Sequence, residues 1–259
     1  MNLFKIIQDI EQVDPEVYGR INSRRSVFNL LGKAALAAAP LAASAVFQKA
    51  YGKSADAITD ILNYALTLEY LEDEFYRTAL TSTILIPQVN RTAFAQISKH
   101  EEQHVAFLKG ALGSNAIAKP TFDFTAKGNF PDVFTNYETF KAVAQVFEDT
   151  GVRAYKGQAA NLIGNKDVLT YALQVHSVEA RHASFVRRLR GQKGWIIGNN
   201  GGGVPSVAAT SYAGEDNTTQ GGLAKAAYAS TYSDAAISEA FDEPLTREQV
   251  VAIVTPFFA

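Results

Sequence analysis

From about residue 54 onward the apolar residues of this chain recur in four long runs, stepping by three and four. That is the period of helices packed along a seam. The first run, Ile58, Leu62, Ala65, Glu69, Glu72, Tyr76 and Ala79, predicts a helix over 54–82. Phe94, Ile97, Glu101, His104, Leu108 and Ala111 predict a second over 88–111, bounded by Pro87 and Gly113. A third, with Ala144, Glu148, Gly151, Tyr155, Gln158 and Leu162, spans 137–163. The fourth carries Ala172, Val175, Glu179, His182, Val186 and Leu189 over 166–190; its basic last turn, Arg187, Arg188 and Arg190, suits the helix dipole. Residues 113–137 lack helical period and hold Pro120, Gly128 and Pro131 among several Phe, so they read as a long crossover that covers the bundle with aromatics. The expected fold is therefore all-α: a four-helix bundle of two helical hairpins joined by a long crossover.

After Trp195 the composition shifts to the polar, Gly-rich run GNNGGGVPSVAATSYAGEDNTTQGG, read as unable to form a regular element. It is expected to be a loop laid over the bundle or a flexible linker. Two short helices are predicted beyond it, one at 234–241 and one opened by the Thr246-x-x-Gln249 capping box and running to about residue 254. This C-terminal extension, with Phe257 and Phe258, is expected to dock on the bundle or on a second subunit, which makes a homodimer an expectation. The division is then 1–53 as an N-terminal leader, 54–195 as the bundle and 196–259 as the extension.

Each seam is interrupted by polar residues where a core residue belongs. Glu101 and His104 form a Glu-x-x-His pair, and Glu179 and His182 repeat it; residues three apart share a helix face, so each pair offers a carboxylate and an imidazole to one point. Glu69 with Tyr76 and Glu148 with Tyr155 are each seven apart, and they precede Glu101 and Glu179 by 32 and 31 residues. The chain thus reads as two copies of one hairpin. Within that repeat Glu72 aligns with Gly151, and Glu74 lies off the seam, so Glu69 is the better ligand candidate and Glu72 a neighbour of the ligands.

Six groups then converge from four helices: Glu69, Glu101, His104, Glu148, Glu179 and His182. Four carboxylates and two imidazoles inside a bundle repel and are desolvated if left to themselves. Two divalent cations would neutralise them, and mixed carboxylate and imidazole donors suit two iron ions or, alternatively, two manganese ions. The plainer alternative is a polar seam satisfied internally and by water. Tyr76 and Tyr155 are expected to donate hydrogen bonds to ligand carboxylates, to carry radical electrons, or simply to pack with satisfied hydroxyls. His100 is read as a partner of the ligands or as a partly exposed histidine, and Glu102 and Asp149 as solvated.

Composition narrows the chemistry. The 259-residue chain has a formal net charge of −2 and scattered Lys and Arg, which argues against nucleic acid as a partner. With no Cys, it has no disulfides, thiolate sites or iron–sulfur clusters. No nucleophile elbow or phosphate-cradling loop is visible. Residues 1–22 read as a short amphipathic helix. Arg24 and Arg25 then lead an Ala-rich run ending in Ala43-Ser44-Ala45, the layout of a twin-arginine export signal. Its uninterrupted apolar part, 34–47, is short for a membrane span, so no span is expected in the mature protein. The location read from this leader is periplasmic or otherwise exported, or cytoplasmic if the leader is retained.

The phrases LNYALTLEYLEDEFY, HEEQHVAFL, VFEDTGVRAY, VEARHASFVR and AFDEPLTREQVVAIVTPFF resemble those of exported ferritin-like domain proteins related to the desiccation-related protein family. The resemblance to the ferritin-like superfamily spans about 54–195. It implies a four-helix bundle with a dinuclear metal centre, and the six residues above match its ligand pattern one by one. Unlike rubrerythrins, this chain has no Cys pairs to hold a second iron site. Two functions follow as expectations. One is a redox-active dimetal protein acting on dioxygen, peroxide or Fe(II), as a ferroxidase, peroxidase or catalase-like oxidoreductase whose partner is a small-molecule oxidant or metal ion. The other is a non-catalytic metal-binding or stress- and desiccation-protective protein at the cell envelope.

Overall fold

The structure is a computed structural model and describes residues 55–259 other than 200, 229 and 230. The leader helix and the twin-arginine segment lie outside the described residues. Four long helices carry the fold: α1 (Ala55–Thr81), α2 (Gln88–Leu112), α3 (Tyr137–Ala159) and α4 (Lys166–Leu189). The all-α expectation is borne out; among the described residues extended pairing is limited to isolated bridges, such as Phe122 with Phe258.

Local chemistry sets the helix ends. Asn136 accepts from the Glu138 N–H to start α3, and Asn165 accepts from the Val168 N–H to start α4. α2 ends at Gly113, whose φ of 56° is the left-handed backbone that stops a helix. α3 stops four residues short of the expected 163, because residues 160–162 tighten into a 3-10 turn.

α1 packs along α2, and α3 along α4, giving the two expected hairpins. Asn63 pins the crossover by donating to the Asn115 carbonyl and accepting from the Ile117 N–H. One end of the bundle is filled with rings. Phe75 stacks on Phe140 at 5.1 Å between centroids, and Phe94 meets Phe140 edge-on at 5.1 Å. Phe124 and Phe130 of the crossover and Phe257 of the C-terminal segment close over this cluster. The opposite end is aliphatic, built on Ile58, Leu62, Leu66, Leu108, Leu162 and Val168.

The C-terminal segment lies on α3. It contains a 3-10 helix (Ser206–Tyr212) and three short helices, α5 (Lys225–Tyr228), α6 (Asp234–Ser238) and α7 (Arg247–Val254). The 3-10 helix corrects the reading of the Gly-rich run as devoid of regular structure. Pro205 opens that helix, and Val204, Ala208 and Tyr212 bury against Val146, giving the run an apolar side that its glycine content disguised. The Leu245 N–H bonds the Arg153 carbonyl, and α7 opens with the expected capping box of Thr246 and Gln249. Gly157 permits the close approach: a Cβ there would lie 1.9 Å from the Leu245 carbonyl oxygen.

This cover buries α3 on every side from Phe140 to Ala154. Asp149, expected in solvent, is instead buried and held in a fork by Arg187, with Nε–Oδ1 3.0 Å and Nη2–Oδ2 2.6 Å. Tyr212 donates to the same carboxylate at 2.7 Å. Arg187 is therefore a core residue of the assembled chain, beyond any role at the helix end. Arg153, wholly buried, pairs with Glu215 at 2.7 Å and donates to the carbonyls of Ser211, Ala213 and Glu243. A buried guanidinium needs this many acceptors. No described helix is long and apolar enough to cross a membrane.

Candidate metal centre

Each helix brings its seam residues to the middle of the bundle. Glu69 comes from α1, Glu101 and His104 from α2, Glu148 from α3, and Glu179 and His182 from α4. All four carboxylates are fully buried. Two groups of donors overlap: Glu69, Glu101, His104 and Glu179 in one, and Glu101, Glu148, Glu179 and His182 in the other. Within each group the donor atoms lie within 4.8 Å of one another, and either group could hold a metal ion.

The oxygens divide in a consistent way. Glu101 turns Oε2 to His104 Nδ1 at 3.0 Å and Oε1 to His182 Nδ1 at 2.9 Å. Glu179 does the same, with Oε1 3.1 Å from His104 Nδ1 and Oε2 3.5 Å from His182 Nδ1. These two carboxylates span the two groups. Glu69 and Glu148 serve one group each. Glu69 turns Oε2 to His104 at 3.0 Å while its Oε1 accepts from the Tyr155 hydroxyl. Glu148 turns Oε2 to His182 at 3.2 Å while its Oε1 accepts from the Tyr76 hydroxyl. Each tyrosine thus reaches across to the other hairpin and fixes the acid there, the first of the roles open to it from sequence.

The donor set fits a metal on the structure's own terms. Glu101 Oε1, Glu148 Oε2, both oxygens of Glu179 and His182 Nδ1 are buried with no hydrogen-bond partner. Buried polar atoms are nearly always satisfied. Here several sit about 3 Å apart yet are not aligned to bond one another. They face common points instead, which is how ligands are arranged.

Residues 57–192, more than half of the chain, match the family model of the ferritin-like domain. The chain belongs to the ferritin-like domain family. A search of curated proteins found no match.

Electrostatics of this ferritin-like cluster follow from burial and from its own charges. Burial lifts Glu69 to about 8, against the pull of His104, and holds Glu148 well above the usual carboxylate range. For Glu179 burial is outweighed by His104 and His182, which hold its carboxyl low. Burial alone would lower both imidazoles, but Glu69 beside His104 and Glu148 beside His182 outweigh it and push both upward. Protons therefore occupy the cluster at neutral pH, and a metal must displace them. Both Nδ1 positions must lose a proton for the imidazoles to ligate. Metal affinity is accordingly expected to fall as pH is lowered below neutrality, by about tenfold per unit for each proton released. Titration of Mn(II) at several pH values, with proton release followed in two buffers, measures this slope.

Three further residues surround the site. Glu72 is buried but belongs to neither donor group. It occupies space that its repeat partner leaves free, since a Cβ on Gly151 would lie 3.2 Å from Glu72 Oε1. Burial, with the nearby carboxylates, pushes the Glu72 carboxyl well above the usual range. His100 is half-buried and places Nδ1 2.9 Å from His182 Nε2, with the two rings stacked at 5.2 Å. That contact orients His182 so that Nδ1 faces the carboxylates. Position 100 lies in α2 one residue before Glu101, and its repeat position is Val178, so periodicity alone does not signal the pairing. Glu102 is exposed, as expected, and Glu74 pairs with Lys119.

Proposed function

We propose that this ferritin-like protein holds two divalent ions, iron or manganese, and is redox-active towards dioxygen, peroxide or Fe(II). The observation that carries this reading is the shared position of Glu101 and Glu179, each offering one oxygen to either donor group. Glu69 and His104 would complete one position, and Glu148 and His182 the other. Iron or manganese held there would supply one-electron chemistry towards an oxidant.

The chain's own residues do the rest. Tyr76 and Tyr155 hold the outer carboxylates, leaving each with one free oxygen for the site. Glu72 adds a buried carboxyl beside the cluster, in the space that Gly151 leaves. His104 is the most exposed of the donors, at 12 % of its side chain, so the cluster meets solvent along that edge. The ring cluster at one end of the bundle and the aliphatic cluster at the other cover the site above and below.

Consumption of hydrogen peroxide and dioxygen by the metal-loaded protein, compared with a Glu148→Ala variant, tests this. Turnover in the wild type that drops at least about 100-fold in the variant is expected, since one position loses a ligand. Two ions bound without turnover would replace this reading with a metal-binding or stress-protective role, the desiccation-related alternative. We place the protein outside the cytoplasm on Arg24-Arg25 and the apolar run after them. An intact mass from the native host that retains residues 1–45 would contradict this.

A further inference from the structure

The repeat that builds the metal centre makes its two flanks equivalent, but they are not packed alike. On the flank of Tyr76 the bundle is sealed. Tyr76 is fully buried, with Phe94 at 6.1 Å and Phe140 at 6.2 Å between ring centroids. On the flank of Tyr155 the next layer encloses a cavity. Its walls continue the four seams one turn beyond the donors: Leu62 and Ala65 from α1, Leu108 from α2, Tyr155 from α3, and Ala172 and Val175 from α4. Leu108 follows His104 by one turn, and Val175 precedes Glu179 by one turn. Tyr155 is both a wall of the cavity and the donor to Glu69, so the space ends beside that carboxylate. Towards solvent the lining is looser, for Ala172, Val175 and Tyr155 are half-buried.

We infer that this cavity is a docking site for dioxygen, which reaches the centre on the Tyr155 side and not on the Tyr76 side. The inference rests on the redox reading above and names its oxidant. Three features of the cavity select the occupant. The lining is almost entirely carbon. Water or peroxide would need about 2–4 polar partners there and finds almost none, whereas small apolar gases enter such spaces readily. The room for centres of water-sized molecules is about 30 Å³. A single water needs about 10–15 Å³ on that measure, so the space suits a molecule of roughly two heavy atoms and is too small for an alkyl chain. Finally, the cavity lies on the Tyr155 flank, while rings pack against Tyr76 on the other, although the repeat supplies a tyrosine and a carboxylate on both. Smaller residues make the difference: by the repeat, Ala172 and Ile61 line the cavity where the sealed flank has the rings of Phe94 and Phe140.

Xenon reports such cavities independently of any reaction. Crystals of the full-length metal-loaded protein under xenon pressure are expected to show a xenon atom between Leu62, Ala65 and Ala172. Ala172→Leu, at a half-buried position able to take a larger side chain, is expected to abolish that peak. It should also raise KM for dioxygen about tenfold, the cost of losing a pre-binding step, with metal content retained. Ala65→Leu serves as the second filling variant should the first fail to fold. Absence of xenon from the wild type overturns the inference, as does loss of xenon with KM for dioxygen unchanged. Xenon bound in a protein that consumes peroxide but not dioxygen overturns the dioxygen assignment alone. A metal-loaded protein that consumes neither overturns this inference together with the redox reading.

Discussion

Glu101→Ala is expected to strip both ions from the protein, whereas Glu69→Ala or Glu148→Ala will leave about one per chain. The difference comes from how the oxygens are shared. Glu101 lies 3.0 Å from His104 through one oxygen and 2.9 Å from His182 through the other, so its loss opens both positions. Glu69 and Glu148 each face one histidine, with the second oxygen held by a tyrosine. Glu179→Ala should behave as Glu101→Ala does. Elemental analysis of the four variants after anaerobic Fe(II) or Mn(II) loading measures this pattern. Equal losses in all four would show that the acids act as one undivided charge cluster. Thermal stability of the metal-free variants is a necessary companion, because removing a buried carboxylate also removes repulsion within the cluster.

The second large effect concerns stability. Asp149→Ala leaves Arg187 buried without its counter-charge and removes the acceptor for Tyr212. Breaking a buried pair from one side costs about 3–5 kcal/mol. For a chain of this size that corresponds to a thermal midpoint lowered by roughly 10 °C. The exposed ion pair between Lys225 and Asp234 provides the comparison, since its removal should cost at most about 1 kcal/mol. A melt of Asp149→Ala within about 2 °C of the wild type would show that the C-terminal segment does not depend on this anchor. Metal content should be preserved, because Asp149 faces the C-terminal segment and Glu148 faces the cluster.

The core of the bundle was legible because a helix seam is a strict pattern. Glu-x-x-His at 101–104 and 179–182 places polar groups at positions that otherwise hold Ile, Val and Leu. The repeat between the hairpins then paired Glu69 with Glu148 and Tyr76 with Tyr155, and the structure brings all of these together. The same repeat matched Glu72 with Gly151, and the missing Cβ leaves room for the extra carboxyl.

What the pattern could not reveal was the second covered side of α3. A period of 3.6 marks one seam, and Gln145, Asp149 and Arg153 lie off it; Asp149 accordingly read as solvent-facing. They are buried because a distant, Gly-rich segment folds over them, and no local periodicity encodes that contact. The one available signal was the excess of charge complementarity: Asp149 and Arg153 on α3 against Arg187 and Glu215 far along the chain. The cavity beside Tyr155 escaped for a related reason. Ala65 and Ala172 look like ordinary small core residues, and only the packing of four helices shows that nothing fills the space between them.

The central claim is that Glu101 and Glu179 join two metal positions in one centre. A crystal structure of the Mn(II)- or Fe(II)-loaded protein, with anomalous scattering recorded at the metal edge, tests it most directly. The account predicts two anomalous peaks in the bundle, one near Glu69 and His104 and the other near Glu148 and His182, with Glu101 and Glu179 contacting both. A single peak, or metal bound only at the protein surface, would contradict it.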